Sequence, residues 1–196
     1  MEKFQKHCAK MLLTMEEGGH LAPSAPYNHK ILSQLRQAAQ TALRLVMVAR
    51  NIDIWEIRTW KWSTPSPKYP NGVLWVFTRR KGRKRWGYVP VIPTSVARPE
   101  CAVRLFRLYL WKLHTSPSWK RAPTHDEFNQ PGTVWRSSLD VTTSKYATPH
   151  HCLAESTLSS ECGDLLHLCG VPSSYSAKSC RGAVSTFLLE CGETQD

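Results

Sequence analysis

Apolar residues recur at helical spacing in several stretches of the chain. Within 29–50 they step by three and four residues, which predicts an amphipathic helix with one buried stripe. The stripe consists of Ile31, Leu35, Ala38, Ala42, Leu45 and Ala49. The same spacing predicts further helices over 1–18, 100–113, 153–169 and 176–191. Gly170 and Gly192 follow the last two, at positions where a glycine commonly ends a helix.

The pattern changes after residue 50. The segment IDIWEIRTWKW (52–62) alternates and is rich in β-branched and aromatic residues, which predicts a strand. Two more strands are predicted at VLWVFT (73–78) and WGYVPVI (86–92), forming a hairpin. The order of elements predicts an α+β fold, mostly helical with a small three-stranded antiparallel sheet. We expect an N-terminal helix and linker over 1–28 and the main domain over 29–196.

The charge of the chain is strongly positive and clustered. Lysine and arginine number 26 against 15 acidic residues, a formal net charge of +11. Six of the seven residues between the two hairpin strands are cationic: Arg79, Arg80, Lys81, Arg83, Lys84 and Arg85. Such a tract favours a polyanionic partner, and double-stranded DNA is the first expectation. A nuclear-localisation signal or a solvated loop are the alternatives.

The cysteine content bears on compartment and on metal binding. Seven cysteines without a CxxC pair favour a reducing compartment, nucleus or cytoplasm, over a disulfide framework. No apolar run reaches the length of a membrane span, so no membrane partner is expected. A zinc module is one alternative function, since six possible ligands lie close together: His150, His151, Cys152, Cys162, His167 and Cys169. The helical spacing of Cys162 and Cys169 favours core thiols instead, so no metal site is predicted.

Two segments resemble the catalytic domain of tyrosine recombinases. The segment TALRLVMVARNIDIWEI (41–57) is similar to the family's first arginine box, with Arg44 at the matching position before an Asp-Ile pair. The segment FTRRKGRKRWGYVPV (77–91) is similar to the strands that carry the family's catalytic lysine, with Lys81 followed by a glycine. Met47 departs from the pattern, since the family often has an acidic residue there that orients the arginine.

Two later segments extend the resemblance to about residues 29–192. The segment SYSAKSCRGAVSTFLLECG (174–192) resembles the second box, in which Lys178 and Arg181 match the H/K-x-x-R pattern. The run from Arg181 to Ser185 is particularly like recombinases of DIRS-type retroelements, as is ECAVRLFRLYL (100–110). The resemblance implies site-specific DNA recombination or integration by a mobile element, on double-stranded DNA and as a possible homo-oligomer.

The resemblance also implies a role for each matching residue. Arg44 and Arg181 would hold the non-bridging oxygens of a DNA phosphate through charged, bidentate forks. Lys81 would protonate the leaving oxygen as general acid, and Lys178 would donate to the same phosphate. Neither a metal nor a small-molecule cofactor is expected in this scheme. A structural salt bridge to a carboxylate is the alternative role for Arg44, because the arginine lies in an apolar helical run.

The family pattern also places a His or Trp and then the nucleophilic tyrosine after the second box. The given sequence ends at Asp196 before either position. We therefore expect a C-terminally incomplete catalytic domain that does not cleave DNA alone. A truncated recombinase, a DNA-binding remnant and a protein that takes its tyrosine in trans remain open. A catalytically inactive module that binds DNA or another protein is the alternative function.

Overall fold

The structure, a computed structural model, describes residues 2–47, 50–55, 57, 76–77, 87–88, 98–114, 134–135 and 153–190. Six helices and two short strands lie in these ranges. In chain order they are α1 (Glu2–Glu17), α2 (His29–Met47), α3 (Asn51–Trp55), β1 (Val76–Phe77), β2 (Gly87–Tyr88), α4 (Ala102–His114), α5 (Glu155–Leu168) and α6 (Ala177–Glu190). None of these helices is long and apolar enough to cross a membrane.

The predicted α+β fold with a three-stranded sheet is wrong for the described part of the chain, which is mostly helical. The start of the predicted strand 52–62 is the short helix α3 instead. The physical reason is local, because the Asp53 carboxylate accepts the backbone N–H of Arg50 at 2.9 Å and its guanidinium Nε and Nη2 at 2.8 and 2.7 Å. An acid in the first turn that accepts the backbone N–H of the residue before the helix favours a helix start, and its charge suits the positive end of the helix dipole.

The described strand pairing is limited to β1 and β2. The two are antiparallel, with Val76 opposite Tyr88 and Phe77 opposite Gly87. These four residues lie within the segments 73–78 and 86–92, and the rest of those segments lies outside the described residues. A ladder of two residues a strand is too short to be a structural layer, so the described core is built from helices.

The five long helices follow the apolar stripes of the sequence, with bounds within three residues of the predicted ones. Gly170 ends α5 at a positive φ of 76°. In this conformation the N–H of Val171 bonds to the carbonyl of Leu166 at 2.9 Å, and that of Gly170 to His167 at 2.8 Å. This is the helix-ending arrangement that the glycine predicts, because residues with a Cβ rarely adopt such a φ.

Helix α2 is central to the hydrophobic core, with α1, α4 and α5 packed around it. Phe4, Cys8 and Met15 of α1 belong to the same core as the apolar stripe of α2. At one side Trp135 is fully buried between α3 and α4, and its Nε1–H donates to the carbonyl of Ile54 at 2.6 Å. This packing holds α3, whose first residue, Asn51, belongs to the candidate site.

Candidate functional site

Arg44 lies in the last turn of α2 and is fully buried, at 0% exposure. Its Nε donates to Asn51 Oδ1 at 3.3 Å. Its Nη1 donates to the side-chain oxygen of Gln40 and, at 3.5 Å, to the Gln40 carbonyl. All of these acceptors are neutral. The salt bridge that would give Arg44 a purely structural role is not found among the described residues.

The remaining nitrogen of Arg44, Nη2, has no hydrogen-bond partner among the described residues. Burial lowers the pKa of the guanidinium, while the nearby Cys162, Cys180, Glu155 and Glu161 act in the opposite direction. A buried donor without a partner is costly, and more so when it carries charge. Arg44 therefore has an unused donor and an incompletely balanced positive charge at the junction of α2, α5 and α6.

Two thiols lie beside Arg44. Cys162 of α5 and Cys180 of α6 are buried in one small cluster with Leu166 and Ala177, against which Leu45 of α2 packs. The Cys180 thiol donates to Cys162, and this hydrogen bond, with the charge of Arg44 assisting, lowers the pKa of Cys162. The same hydrogen bond and burial raise the pKa of Cys180. The hydrogen bond and the nearby guanidinium therefore both favour the thiolate form of Cys162 over that of Cys180.

The first testable prediction concerns this thiol. In an Arg44→Met variant the pKa of Cys162 rises, because the positive charge that favours the thiolate is gone. A lowered pKa of Cys162 stabilises the folded protein only at pH values above that pKa. The difference in free energy of unfolding between wild type and variant should therefore increase, in favour of the wild type, as pH rises through the titration of Cys162. The ultraviolet absorbance of the thiolate during a pH titration measures the midpoint. Cys162→Ser identifies the signal, and equal midpoints with and without Arg44 would contradict the prediction.

The zinc alternative receives no support from the described residues, where no three possible ligands converge. Cys162 lies in the small cluster beside Arg44, whereas Cys169 lies in the main core. His167 is exposed on α5, with its Nε2 3.3 Å from the carbonyl oxygen of Tyr175. His150, His151 and Cys152 lie outside the described residues. Both thiols are buried, as their helical spacing predicts, although they lie in different clusters.

Helix α6 carries Lys178 and Arg181, the two residues that match the second box. The helix begins after Ser176, whose Oγ accepts the N–H of Lys178 at 3.3 Å, while the Oγ of Ser179 accepts the N–H of Ser176 at 3.1 Å. These bonds satisfy donors of the first turn. Lys178 is exposed, and Arg181 follows Cys180 in the helix, although the side chain of Arg181 lies outside the description. The structure therefore brings the α6 backbone of the second box to the end of α2.

The remaining predicted site residues fall on a part of the chain that the structure does not describe. These are Lys81, the predicted general acid, and the DNA-binding residues Arg79, Arg80, Arg83, Lys84 and Arg85. Within the described residues, the two strands that lie on either side of the tract 79–85, β1 and β2, pair with each other. The roles of these six cations stay predictions.

The sequence analysis missed three residues that surround Arg44: Gln40, Asn51 and Glu161. A signal was available, since Arg36, Gln40 and Arg44 repeat every four residues along α2 and so share one face. Such a polar stripe usually faces solvent, but here it is buried. Its burial depends on α5, which is distant in sequence.

Comparisons of the chain with protein families, with curated proteins and with solved structures give no match.

Proposed function

We propose that the chain binds double-stranded DNA with the residue arrangement of a tyrosine recombinase catalytic domain, and that Arg44 binds a DNA phosphate. One observation carries the proposal. Arg44 is fully buried, is bonded only to neutral groups among the described residues, and keeps Nη2 without a partner there. The guanidinium interacts electrostatically with Cys180 of α6, the helix that carries Lys178 and Arg181. A phosphate oxygen is an acceptor that would satisfy the free donor and balance the charge.

The overall charge favours DNA over a small phosphate ester as the source of that phosphate. The net charge of +11 provides long-range attraction to a polyanion. The cationic tract 79–85 adds six residues that can neutralise neighbouring phosphates along a duplex. A single small anion would use the Arg44 site but not a tract of this size.

The burial of Arg44 sets a condition on binding. At 0% exposure, Nη2 meets a phosphate only after a neighbouring group has moved away from it. The start of α6 covers the end of α2 through Ala177, Cys180 and Leu45. We infer that DNA displaces this part of α6 to reach Nη2. Local opening of the end of a helix costs less free energy than opening of the core.

In this proposal Arg44 and Arg181 hold the non-bridging oxygens, Lys178 assists and Lys81 is the general acid. Once arranged around the phosphate, these cations stabilise the extra negative charge of the transition state of phosphoryl transfer. Cleavage also needs a tyrosine, whose phenolic oxygen loses its proton to solvent and forms a bond to phosphorus, while the bond from phosphorus to the 5′-oxygen breaks and that oxygen takes a proton from the acid. The same cations without a nucleophile bind DNA and leave the strand intact. Binding and cleavage are therefore tested separately.

Fluorescence anisotropy with a labelled duplex over a range of salt concentrations tests the binding part. We expect the logarithm of the association constant to fall linearly with the logarithm of salt, because phosphate contacts release counterions. Affinity that does not respond to salt would overturn the proposal. A suicide substrate with a nicked strand tests the cleavage part. A covalent protein–DNA adduct would establish recombinase chemistry, and its absence alongside salt-dependent binding would assign the non-cleaving function.

A further inference from the structure

A line of buried polar side chains connects Arg44 to α5. Arg36, Gln40 and Arg44 occupy one face of α2 and are 3%, 0% and 0% exposed. Glu161 of α5 lies opposite this face and is itself only 13% exposed in its side chain. Polar groups are rarely buried without a specific partner, so the contacts along this line determine how each side chain is held.

Glu161 is bound on both of its oxygens. Arg36 donates from Nε to Oε2 at 3.0 Å and also from Nη2 to Oε1, which makes a two-point ion pair. Gln40 donates from Nε2 to Oε2 at 3.0 Å. The carboxylate is therefore fixed by a charged fork and accepts the amide of Gln40 at the same time.

The charges on either side dictate the orientation of the Gln40 amide. Its N–H group faces the Glu161 carboxylate and its oxygen faces the Arg44 guanidinium. A flipped amide would place oxygen against a carboxylate and N–H against a cation, and both contacts would be repulsive. Glu161 thus helps to orient the amide so that its oxygen points at Arg44.

Asn51 holds the other side of Arg44 in a similar way. Its Nδ2 donates to the Ser159 hydroxyl of α5 at 3.0 Å, which leaves Oδ1 to accept from Arg44 Nε at 3.3 Å. The guanidinium is a rigid plane, so partners on Nε and Nη1 fix the direction of Nη2 as well. Because both partners are neutral amides, they orient the cation without cancelling its charge.

We propose that Gln40 is a positioning residue for Arg44, and that Glu161 acts through Gln40 to hold the guanidinium in one orientation with Nη2 left for an anion. What Arg44 then binds rests on the function proposed above. The positioning itself rests only on the contacts within this protein. The two ideas therefore fail in different experiments.

The guanidinium resonances of Arg44 test the positioning directly. In protein labelled with ¹⁵N-arginine, a held guanidinium rotates slowly about its terminal bonds and gives resolved Nη signals. We expect Gln40→Met to average the Arg44 signals by fast rotation, because this change removes the amide oxygen and keeps the length of the side chain. Arg44→Lys assigns the signals by their loss.

Gln34→Met is the matched control, since Gln34 lies exposed on the same helix. It should leave the Arg44 signals as in the wild type.

Glu161→Gln should loosen Arg44 less than Gln40→Met does, because the charge of Arg44 alone still favours the amide oxygen of Gln40 over its N–H group. Resolved, unchanged Arg44 signals in a folded Gln40→Met protein would overturn the proposal.

A second variant connects the positioning to DNA. Gln40→Glu places a carboxylate on Nη1 and cancels the charge of Arg44, so DNA affinity should fall roughly tenfold or more relative to the wild type. The loss should diminish as pH falls and the introduced carboxylate is protonated, while Gln34→Glu should show no such recovery. If the resonances respond to Gln40→Met but neither Gln40→Glu nor Arg44→Met changes DNA affinity, the positioning stands and the DNA function fails. If DNA affinity depends on Arg44 but the resonances do not depend on Gln40, the DNA function stands and the positioning fails.

Discussion

Replacing the six cations of residues 79–85 with glutamine should lower the affinity for duplex DNA by roughly a thousandfold at low salt. Each cation that neutralises a phosphate contributes about 0.9 to the slope of log affinity against log salt, so this slope should decrease by up to about five. The tract contains six of the 26 lysines and arginines in seven consecutive residues, which concentrates the positive potential. Fluorescence anisotropy at several salt concentrations measures both quantities.

The matched control separates the tract from net charge. Lys3, Lys6 and Lys10 are exposed on α1, and replacing them with glutamine removes three positive charges from an ordinary helix face. A triple variant of Arg79, Arg80 and Arg83 removes the same charge from the tract. The tract variant should lower the salt slope by about 2–3 and the α1 variant by much less. Equal losses would show that net charge alone determines the binding and would contradict a role for the tract.

Trp135→Ala should lower the free energy of unfolding by about 3–5 kcal/mol. Trp135 is 0% exposed and stacks on Tyr109, with ring centroids 5.5 Å apart, and lies 5.6 Å from the ring of Phe106. Its Nε1–H donates to Ile54 at the end of α3, and its carbonyl accepts the N–H of Leu153. The substitution removes the ring from a packed site and leaves the carbonyl of Ile54 without this donor.

Urea denaturation followed by circular dichroism measures the loss. Trp135→Phe keeps an aromatic ring and removes the indole N–H, so it should cost less than the alanine variant. Tyr175→Ala removes an aromatic residue that is 50% exposed and should change stability by less than about 0.5 kcal/mol. If Trp135→Ala were as stable as Tyr175→Ala, the aromatic cluster would not support the α3–α4 packing as described.

The helices could be predicted from the sequence because their apolar stripes reflect the burial that stabilises them. The stripe from Ile31 to Leu45 and the glycine at 170 both indicate their helices directly. Helix α3 could not be predicted in this way, since the alternation in 52–62 is typical of a strand. Its helical form depends on the bonds between Asp53 and Arg50, which span only three residues and override that pattern. The burial of Trp135, in a proline-rich segment, has no periodic signal at all.

The candidate site was predictable only in part for a related reason. Position 44 stands out in the sequence, because an arginine interrupts an apolar run and fits a family motif. The residues around Arg44 do not stand out in the sequence, because Gln40 and its partner Glu161 are 121 positions apart along the chain. A polar residue at every fourth position of a helix usually indicates a solvated face. Only the packing of α5 against α2 turns Arg36, Gln40 and Arg44 into a buried line.

The dissociation constant of the Arg44→Met variant for duplex DNA, at one fixed salt concentration, tests the central claim most directly. The variant should fold, since a methionine of similar length replaces a buried cation that has an unsatisfied donor. Arg107→Met removes one charge from an exposed position of α4 and serves as the control. Binding weakened at least about tenfold by Arg44→Met and less than about threefold by Arg107→Met is the predicted result. A folded Arg44→Met protein that binds DNA as tightly as Arg107→Met would contradict the claim that Arg44 binds a phosphate.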